Sequence, residues 1–200
     1  IYFISSNVHS FPNLLSGFAL KNKDEINQYL IDANQRELID EWRQIQTHKV
    51  PSSRENFWYY ALKKYLQDPG SEEILHRRNE HEKKCGIERI DSEHSFDVDA
   101  QVFEIAKLIP DWMDPRLKDK LQNLDFLSKS KALILNIDYP LGLAAYNILT
   151  EVAENAGNLL GVYILGKAAT LNGVVGDVMI PYVIHDEHSR NTYLCPRAFE

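Results

Sequence analysis

Residues 132–165 carry the clearest alternation of apolar runs and amphipathic spacing in the chain. Two apolar runs, 132–137 and 160–165, have the length and composition of buried parallel strands. Between them, 141–156 is rich in alanine and repeats its apolar residues at helical spacing. A third strand is predicted over 177–184. The pattern therefore predicts a strand–helix–strand–strand segment of the kind found in α/β domains.

The start of the chain predicts a second unit of the same kind. Residues 1–4 are apolar and β-prone, 5–10 are polar, and 14–20 have helical spacing. The intervening residues 21–128 differ, because most of their apolar positions repeat at helical spacing. Five helices are predicted there: 24–32, 37–47, 54–67, 71–85 and 96–109.

These changes in pattern divide the chain into three predicted parts. Residues 1–20 form the first strand, loop and helix of the α/β domain. Residues 21–130 form a helical block that serves as a lid or an insertion, and 131–200 form the main α/β segment. We expect that segment to be incomplete at its C-terminus, because no closing helix follows its last strand and the chain has no initiator Met.

Local signals mark several helix ends and faces. The dipeptide Pro69-Gly70 breaks the helical pattern, Ser71 is the predicted N-cap of the next helix, and Gly86 is its predicted C-cap. Mixed charges around the dipeptide Arg77-Arg78 predict a solvated helix face. The aromatic run 57–60 predicts the core of the helical block.

Composition and charge narrow the function classes. The chain has 200 residues and a net charge of −7, which disfavours nucleic acid and anionic membranes as main partners. Its sequence has no apolar run of the ~18–20 residues that a spanning helix needs. Only Cys85 and Cys195 are present, far apart, so we expect a cytoplasmic protein without a metal site.

A loop of small residues is predicted where the second apolar strand ends. Small side chains leave the main-chain amides open to an anion or a hydroxyl, and Lys167 adds a positive charge. The glycine spacing excludes a Walker A loop. A tight crossover that needs small residues for packing is the alternative interpretation. The candidate binding residues of this loop are Gly166, Lys167, Ala168, Ala169, Thr170 and Asn172.

The order of these elements resembles the nucleoside phosphorylase superfamily. The resemblance rests on 166–169, which reads Gly-Lys-Ala-Ala, and on 176–181, which reads Gly-Asp-Val-Met-Ile-Pro. It covers residues 133–193 only. The family includes purine nucleoside and uridine phosphorylases and several nucleosidases. The resemblance implies an α/β fold with a mostly parallel sheet of nucleoside-phosphorylase type, combined here with a large helical insertion.

The resemblance also implies a reaction. The bond cleaved would be the N-glycosidic bond of a nucleoside or nucleotide, by phosphorolysis or hydrolysis, through an oxocarbenium-like sugar. No cofactor is implied; inorganic phosphate would be a co-substrate in phosphorolysis, and a homo-oligomer is expected. In the family the glycine loop contacts base and phosphate, a role that 166–169 would take by position.

The chain departs from the family pattern in the same segment. Lys167 replaces the Ser or Thr that contacts phosphate, Ala169 replaces the second loop glycine, and Ile164 replaces an arginine found in some members. The turn after the first strand of the segment keeps only its last glycine, which leaves Asp138, Tyr139 and Gly142 as candidates. These departures favour an alternative, a catalytically silent sensor or scaffold that binds a nucleotide or nucleoside. A structural fragment of a larger assembly is the remaining alternative.

Two polar clusters supply candidates for acid–base chemistry besides Lys167. Glu187 and His188 follow the third predicted strand, in a stretch that is a solvated loop, a site loop near a sugar hydroxyl, or a metal site. A strand context disfavours the metal, because residues three apart point to opposite faces. His94 lies at a predicted helix N-terminus, where it binds an anion, moves a proton or belongs to a simple cap.

The loop after the first strand supplies the last two candidates, Asn7 and His9. Ligands of open α/β sheets bind beyond the carboxyl ends of the strands, which is where this loop is predicted to lie. A polar connecting loop without a ligand role is the alternative.

Overall fold

The computed structural model describes residues 1–48, 51–92, 98–121, 123–167, 169–174 and 177–195. The chain forms two compact units, Ile1–Leu165 and Gly166–Glu200. Among the described residues of the first unit, the central element is a sheet of five strands, and the second unit contains a two-stranded sheet. No helix in the described part of the chain combines the length and the apolar character needed to cross a membrane.

The five-stranded sheet has the order β2-β3-β4-β1-β5. Strand β4 pairs parallel with β1, and β1 pairs parallel with β5, whereas β2–β3 and β3–β4 are antiparallel. The α/β class is confirmed, but the prediction of a mostly parallel sheet is wrong, because the sheet is mixed. The five strands are β1 (Tyr2–Ser6), β2 (Ile87–Ile90), β3 (Ala100–Glu104), β4 (Leu133–Asp138) and β5 (Gly161–Ile164).

The helices predicted over 24–32, 37–47, 54–67, 71–85 and 141–156 are present with small shifts at their ends. The single helix predicted over 14–20 is wrong, because Gly17, with a φ of 60°, divides this stretch between two helices. The helices of the described residues are α1 (Ser10–Ser16), α2 (Phe18–Lys21), α3 (Lys23–Asp32), α4 (Arg36–His48), α5 (Pro51–Gln67), α6 (Glu72–Lys84), α7 (Pro115–Lys118) and α8 (Gly142–Asn155). Short 3-10 turns occur at Ile105–Lys107, Pro110–Trp112 and Leu127–Lys129.

The aromatic side chains of α5 form the core of the helical block, as predicted for part of the run 57–60. Phe57 and Trp58 are 4% and 5% exposed, and Ala61 one turn later is fully buried. Helical spacing places them on one face, against Trp42 of α4, whose ring centroid lies 4.7 Å from that of Trp58. This core packs α2, α3, α4, α5 and α6 against one another.

A second core joins the sheet to α1 and α6. Phe103 of β3 and Cys85 after α6 are both fully buried, and the ring of Phe11 in α1 meets that of Phe103 edge-on at 6.0 Å. Helix α1 therefore covers the face of the sheet that carries Phe103. The C-cap of α6 is Cys85, one residue before the predicted position, and Gly86 follows it with a φ of 76°, the left-handed conformation that ends a helix.

A buried carboxylate ties α5 to α7. Asp114 is fully buried and caps α7 by accepting the amide of Arg116 at 2.8 Å, while the Arg116 guanidinium binds its other oxygen at 2.8 Å. The Tyr59 hydroxyl of α5 donates to the same carboxylate. Although burial alone would raise the pKa of Asp114, these hydrogen bonds lower it below its usual range.

The helix predicted over 96–109 is wrong, because Ala100–Glu104 is strand β3. The buried positions of β3 alternate, at Gln101 and Phe103. Since one of these inward positions is polar, the two-residue period of the strand is hidden in the sequence. The apolar residues Val102 and Ile105 then give a misleading helical spacing.

Two predicted strands also differ from the structure. Strand β5 forms, but it lies at the sheet edge with Val162 and Ile164 40% and 77% exposed, so the prediction of a buried strand is wrong. The prediction of a strand over 177–184 is wrong for residues 177–182, where Pro181 cannot donate a ladder hydrogen bond. Strand β6 (Val183–Asp186) begins after it and pairs antiparallel with β7 (Asn191–Leu194).

The cap predicted at Ser71 is also corrected. Ser71 is the residue before α6, but its hydroxyl donates to the carbonyl oxygen of Leu66 at 3.1 Å and makes no cap with α6. The serine therefore closes the turn between two helices.

Helix α8 contains no buried residue.

Candidate functional site

The connections that follow the neighbouring parallel strands β1 and β4 run toward opposite faces of the sheet. The chain after β1 enters α1, which covers the face that carries Phe103. The chain after β4 passes over β1 through α8 to reach β5. The crossover from β4 through α8 to β5 joins parallel strands, and such crossovers are right-handed in nearly all proteins, so α8 is expected on the opposite face, where Phe3 and Ile137 are buried. The carboxyl ends of β1 and β4 thus form a topological switch point, the usual ligand position in open α/β sheets.

The loop after β1 is organised by Asn7. Its side-chain oxygen accepts the amides of His9 at 2.9 Å and Ser10 at 2.7 Å. Its side-chain nitrogen donates to the Ser10 hydroxyl at 2.9 Å and lies 3.5 Å from the hydroxyl of Tyr139. Asn7 therefore fixes its own loop and brings it beside the loop after β4. The structure thus places two of the predicted site residues, Asn7 and Tyr139, next to each other.

The loop after β4 holds Tyr139 in an unusual conformation. Tyr139 has a φ of 42°, which a bulky residue seldom adopts, and its amide donates to the Ile137 carbonyl at 2.9 Å in a tight turn. Its neighbour Asp138 donates its amide to the Asp99 carbonyl at 2.9 Å. Gly142, with a φ of 55°, has no described atom within 4 Å of where a Cβ would stand. Local strain of this kind is concentrated at functional sites.

A buried layer of amide side chains supports the first loop from below. Gln101 of β3 donates to the carbonyl of Val8 at 2.8 Å. Asn136 of β4 donates to the carbonyl of Asn7 at 3.1 Å and to the Gln101 side chain at 3.1 Å. Both side chains are almost completely buried, and the Asn136 oxygen has no hydrogen-bond partner among the described residues. The layer fixes the main chain of the loop and leaves one buried acceptor unused.

Charged groups from α6 and β2 adjoin the same loop. Glu82 of α6 is 3% exposed and accepts two hydrogen bonds from Arg89 of β2, at 2.6 and 3.0 Å. A third nitrogen of Arg89 lies 3.4 Å from the Val8 carbonyl. Arg78, one turn before Glu82, approaches the same carboxylate at 3.8 Å and is 14% exposed. The prediction of a solvated helix face is therefore wrong for Arg78, which is buried beside a paired carboxylate.

His9 is an accessible titratable group at this edge. Partial burial lowers its pKa from 6.5, and the positive charges of Lys63, Arg89 and Arg78 lower it further. The carboxylate of Asp138 acts in the opposite direction. The net effect is a lowered pKa, which favours the neutral form of the His9 imidazole.

The predicted glycine loop begins where β5 ends. The Leu165 amide donates to the Ser5 carbonyl at 2.9 Å, which continues the pairing of β5 with β1 up to the start of the loop. Gly166 has open space where a Cβ would stand. The other described residues of the loop are exposed, and Thr170 accepts the Asn172 amide at 3.2 Å. The exposed residues are Lys167, Ala169, Thr170 and Asn172, whereas Ala168 and Gly176 lie outside the described residues.

The second cluster of acid–base candidates forms a hairpin turn. Glu187 and His188 are exposed at the tip between β6 and β7. Asp186 closes the turn by accepting the amides of His188 at 3.0 Å and Ser189 at 3.3 Å, and the Ser189 hydrogen bond lowers its pKa. His94 lies outside the described residues. Within the described ranges, no three His, Cys, Asp or Glu side chains come together as metal ligands.

Sequence reasoning missed most of the side chains that surround the first loop. One signal was present: Asn136 is a lone polar residue in the apolar run Leu-Ile-Leu-Asn-Ile, which suggests a buried amide with a specific partner. The charged residues gave no such signal, because their mixed signs resemble a solvated surface. The residues missed are Arg78, Glu82, Arg89, Gln101 and Asn136.

The fold and this edge together define an α/β protein with a candidate ligand site at a switch point. The chain belongs to the family of unknown function DUF6909, whose model matches residues 1–200. No curated protein and no solved structure has significant similarity to the chain.

Proposed function

We propose that this chain cleaves the N-glycosidic bond of a nucleoside or nucleotide. In hydrolysis, the C1′–N bond breaks, its electron pair leaves with the base, the oxygen of water bonds to C1′, and a proton from that water ends on the base. In phosphorolysis, a phosphate oxygen takes the place of the water oxygen. The transition state is a sugar cation, which is stabilised by nearby negative charge and by protonation of the leaving base.

One observation carries the proposal: the loops after β1 and β4 meet at the switch point, through Asn7 and Tyr139. The main chain of the loop after β1 is held from below by hydrogen bonds from Gln101 and Asn136 to the Val8 and Asn7 carbonyls. A preorganised polar edge of this kind suits a ligand that presents several hydroxyl groups.

The resemblance to nucleoside phosphorylases adds a second line of support. The order strand, helix, strand and glycine loop is found at β4, α8, β5 and Gly166. Gly166 leaves its main chain open, as the proposed contacts to base and phosphate require. In this proposal Lys167 supplies positive charge to the anion, beside the open main chain at Gly166.

The test is release of free base by the purified 200-residue chain. The four common ribonucleosides and their 5′-monophosphates are incubated with and without inorganic phosphate, and free base and reducing sugar are quantified by chromatography. The proposal expects base release from at least one compound. Dependence on phosphate identifies phosphorolysis, whereas release without phosphate identifies hydrolysis.

A matched pair of glycine variants tests the loop. Gly166→Val should abolish release because the side chain covers the open main chain, whereas Gly157→Val, at a position with equally open surroundings, should leave release unchanged. Equal activity of both variants would remove the loop from the mechanism. Absence of release from every compound, by a folded protein, would contradict the enzymatic proposal.

A ligand-binding sensor is the second candidate, and it is favoured by a specific observation. Three residues that the phosphorylase family uses for phosphate and loop geometry are replaced here, by Ile164, Lys167 and Ala169. A sensor would bind one of the same compounds without releasing base. Calorimetric titration of each compound, run beside the release assay, separates the two functions.

A further inference from the structure

Strand β5 leaves one edge of the five-stranded sheet open. It lies at the end of the order β2-β3-β4-β1-β5 and pairs with β1. The Leu165 amide donates to the Ser5 carbonyl of β1 at 2.9 Å, which fixes the direction in which alternate main-chain groups of β5 point. By this alternation the N–H and C=O groups of Val162 and Ile164 point away from β1. Among the described residues, no strand pairs with that side of β5.

The open edge lacks the features that commonly prevent pairing with another chain. Such edges are usually protected by charged side chains, especially lysine, or by proline. Residues 157–165 contain neither a charged residue nor a proline. The opposite edge of the sheet is protected, because β2 carries Glu88 and Arg89. The two edges therefore differ, and the edge at β5 is the one suited to accept a further strand.

Apolar side chains accompany this edge on the face of the sheet where α8 is expected. Val162 lies in register with Phe3 of β1, so it points to the same face as that buried ring. Ile164, two residues further on, shares the face and is 77% exposed. Helix α8 adds Leu143 and Tyr146, which are 73% and 68% exposed. Exposed apolar residues beside unpaired main chain indicate a surface for a protein contact.

The area of this surface matches one half of a stable interface. Its large apolar side chains together expose about 700 Å², if a fully exposed side chain of this size has ~180 Å². A standard protein–protein interface takes about 600–1,000 Å² from each partner. The side chains counted are those of Leu141, Leu143, Tyr146, Leu160, Val162 and Ile164.

We propose that two copies of this chain associate through β5, whose strands pair antiparallel around a two-fold axis beside Tyr163. In this register, Val162 of one copy and Ile164 of the other exchange their outward main-chain hydrogen bonds, and the reverse pair does the same. A two-fold contact requires a surface that complements itself, and the two residues lie equally far from the axis. The two five-stranded sheets then join into one continuous sheet.

The charge of the chain favours this edge as the contact between two copies. A net charge of −7 makes two copies repel each other wherever their charged surfaces meet. The uncharged stretch 157–165 lets two copies approach without burying an unpaired charge. Pairing of β5 with itself also closes at two copies, because each copy has its other sheet edge at the charged strand β2.

The experiment is sedimentation analysis of the 200-residue chain over a concentration range of about 1 to 200 µM, where we expect a monomer–dimer equilibrium. Ile164→Lys should raise the dimer dissociation constant about a hundredfold or more, because the symmetric interface carries the substitution twice and brings like charges together. Circular dichroism checks that the variant is folded, as expected for a substitution at an exposed side chain.

Ile90→Lys is the matched control. Ile90 is the last residue of β2, as Ile164 is of β5, and it is 53% exposed. The two isoleucines lie at opposite ends of one cross-strand row, through Ala100, Ile137 and Ser5. The control should leave the dissociation constant unchanged, because it adds the same charge at the edge that is already protected.

Hydrogen exchange locates the contact independently. A peptide that covers 160–165 should exchange more slowly at high than at low protein concentration, in the wild type and in Ile90→Lys but not in Ile164→Lys. A chain that stays monomeric at about 200 µM, equal dissociation constants for the two lysine variants, or growth beyond dimers overturns the proposal. Because these measurements involve no nucleoside, their result is independent of whether base release occurs.

Discussion

Replacing Glu82 by glutamine should destabilise the protein strongly. The carboxylate is 3% exposed and accepts two hydrogen bonds from Arg89, while Arg78 lies at 3.8 Å. Glutamine keeps the shape of the side chain but removes the negative charge. Both guanidinium groups, 17% and 14% exposed, would then remain buried without their common partner.

The expected loss can be worked out from this geometry. Removing one member of a buried ion pair costs about 3–5 kcal/mol, chiefly because the partner charge stays buried and uncompensated. The two arginines keep some contact with solvent, so we expect the lower limit, about 3 kcal/mol. That is a large share of the ~5–15 kcal/mol by which a domain is stable. With a urea slope of about 2 kcal/mol/M, the unfolding midpoint should fall by about 1.5 M.

The assay is urea unfolding followed by circular dichroism, with Glu80→Gln as the control. Glu80 lies on the same helix and pairs with Lys83 at 3.7 Å, but both side chains are exposed, so its loss should cost less than about 0.5 kcal/mol. The double variant Glu82→Met/Arg89→Met should regain part of the stability, because it removes one of the two unpaired guanidinium groups together with the carboxylate. Equal midpoints for Glu82→Gln and Glu80→Gln would refute the reasoning.

Three further predictions concern the frame around the site. Gly17→Ala should lower the free energy of unfolding by at least about 3 kcal/mol, because Gly17 has a φ of 60° and an added Cβ would overlap a main-chain carbonyl oxygen. Gly70→Ala, with a φ of 91° and open surroundings, should lower it by only about 1–2 kcal/mol. Equal decreases in melting temperature for the two variants would contradict this. Asp114→Asn should cost about 3 kcal/mol near neutral pH. The pKa of Asp114 is lowered below 3.8 in the folded state, so its carboxylate stabilises the wild type less and less as the pH falls below 3.8. The urea midpoints of the variant and the wild type should therefore approach each other there. Midpoints that remain apart would contradict the lowered pKa. In thiol labelling of the native protein at about pH 8, Cys195 should react and Cys85 should not. Burial raises the pKa of Cys85 to about 11, so its thiol stays protonated. Labelling of both thiols before unfolding would contradict the buried environment of Cys85.

The sequence predicted the elements whose hydrophobic pattern follows a single period. The helices before residue 86, helix α8 and the first strand were recognisable because their apolar residues repeat at one spacing and caps or glycines mark several ends. Strand β3 was not recognisable, because a buried amide, Gln101, occupies one of its inward positions. Gln101, which supports the loop after β1, is therefore also the residue that hides the two-residue period of β3 in the sequence.

The candidate site was predictable in its position but not in its composition. The loops with Asn7 and Tyr139 could be placed at the carboxyl ends of strands, since that position follows from the order of strand, loop and helix. Arg78 and Arg89 could not, because their meeting at Glu82 depends on how α6 packs against β2. Charge along the chain does not reveal which lysines and arginines meet in space.

The central claim is that the loops after β1 and β4 form one ligand site. Hydrogen exchange of the 200-residue chain, measured by mass spectrometry with and without saturating ribose 5-phosphate, tests this most directly. If the two loops bind one ligand, peptides that cover 7–10 and 138–142 should both exchange more slowly when the ligand is present, with little change in a peptide that covers 34–38 of the helical block. Protection confined to the helical block, or no protection at either loop, would contradict it.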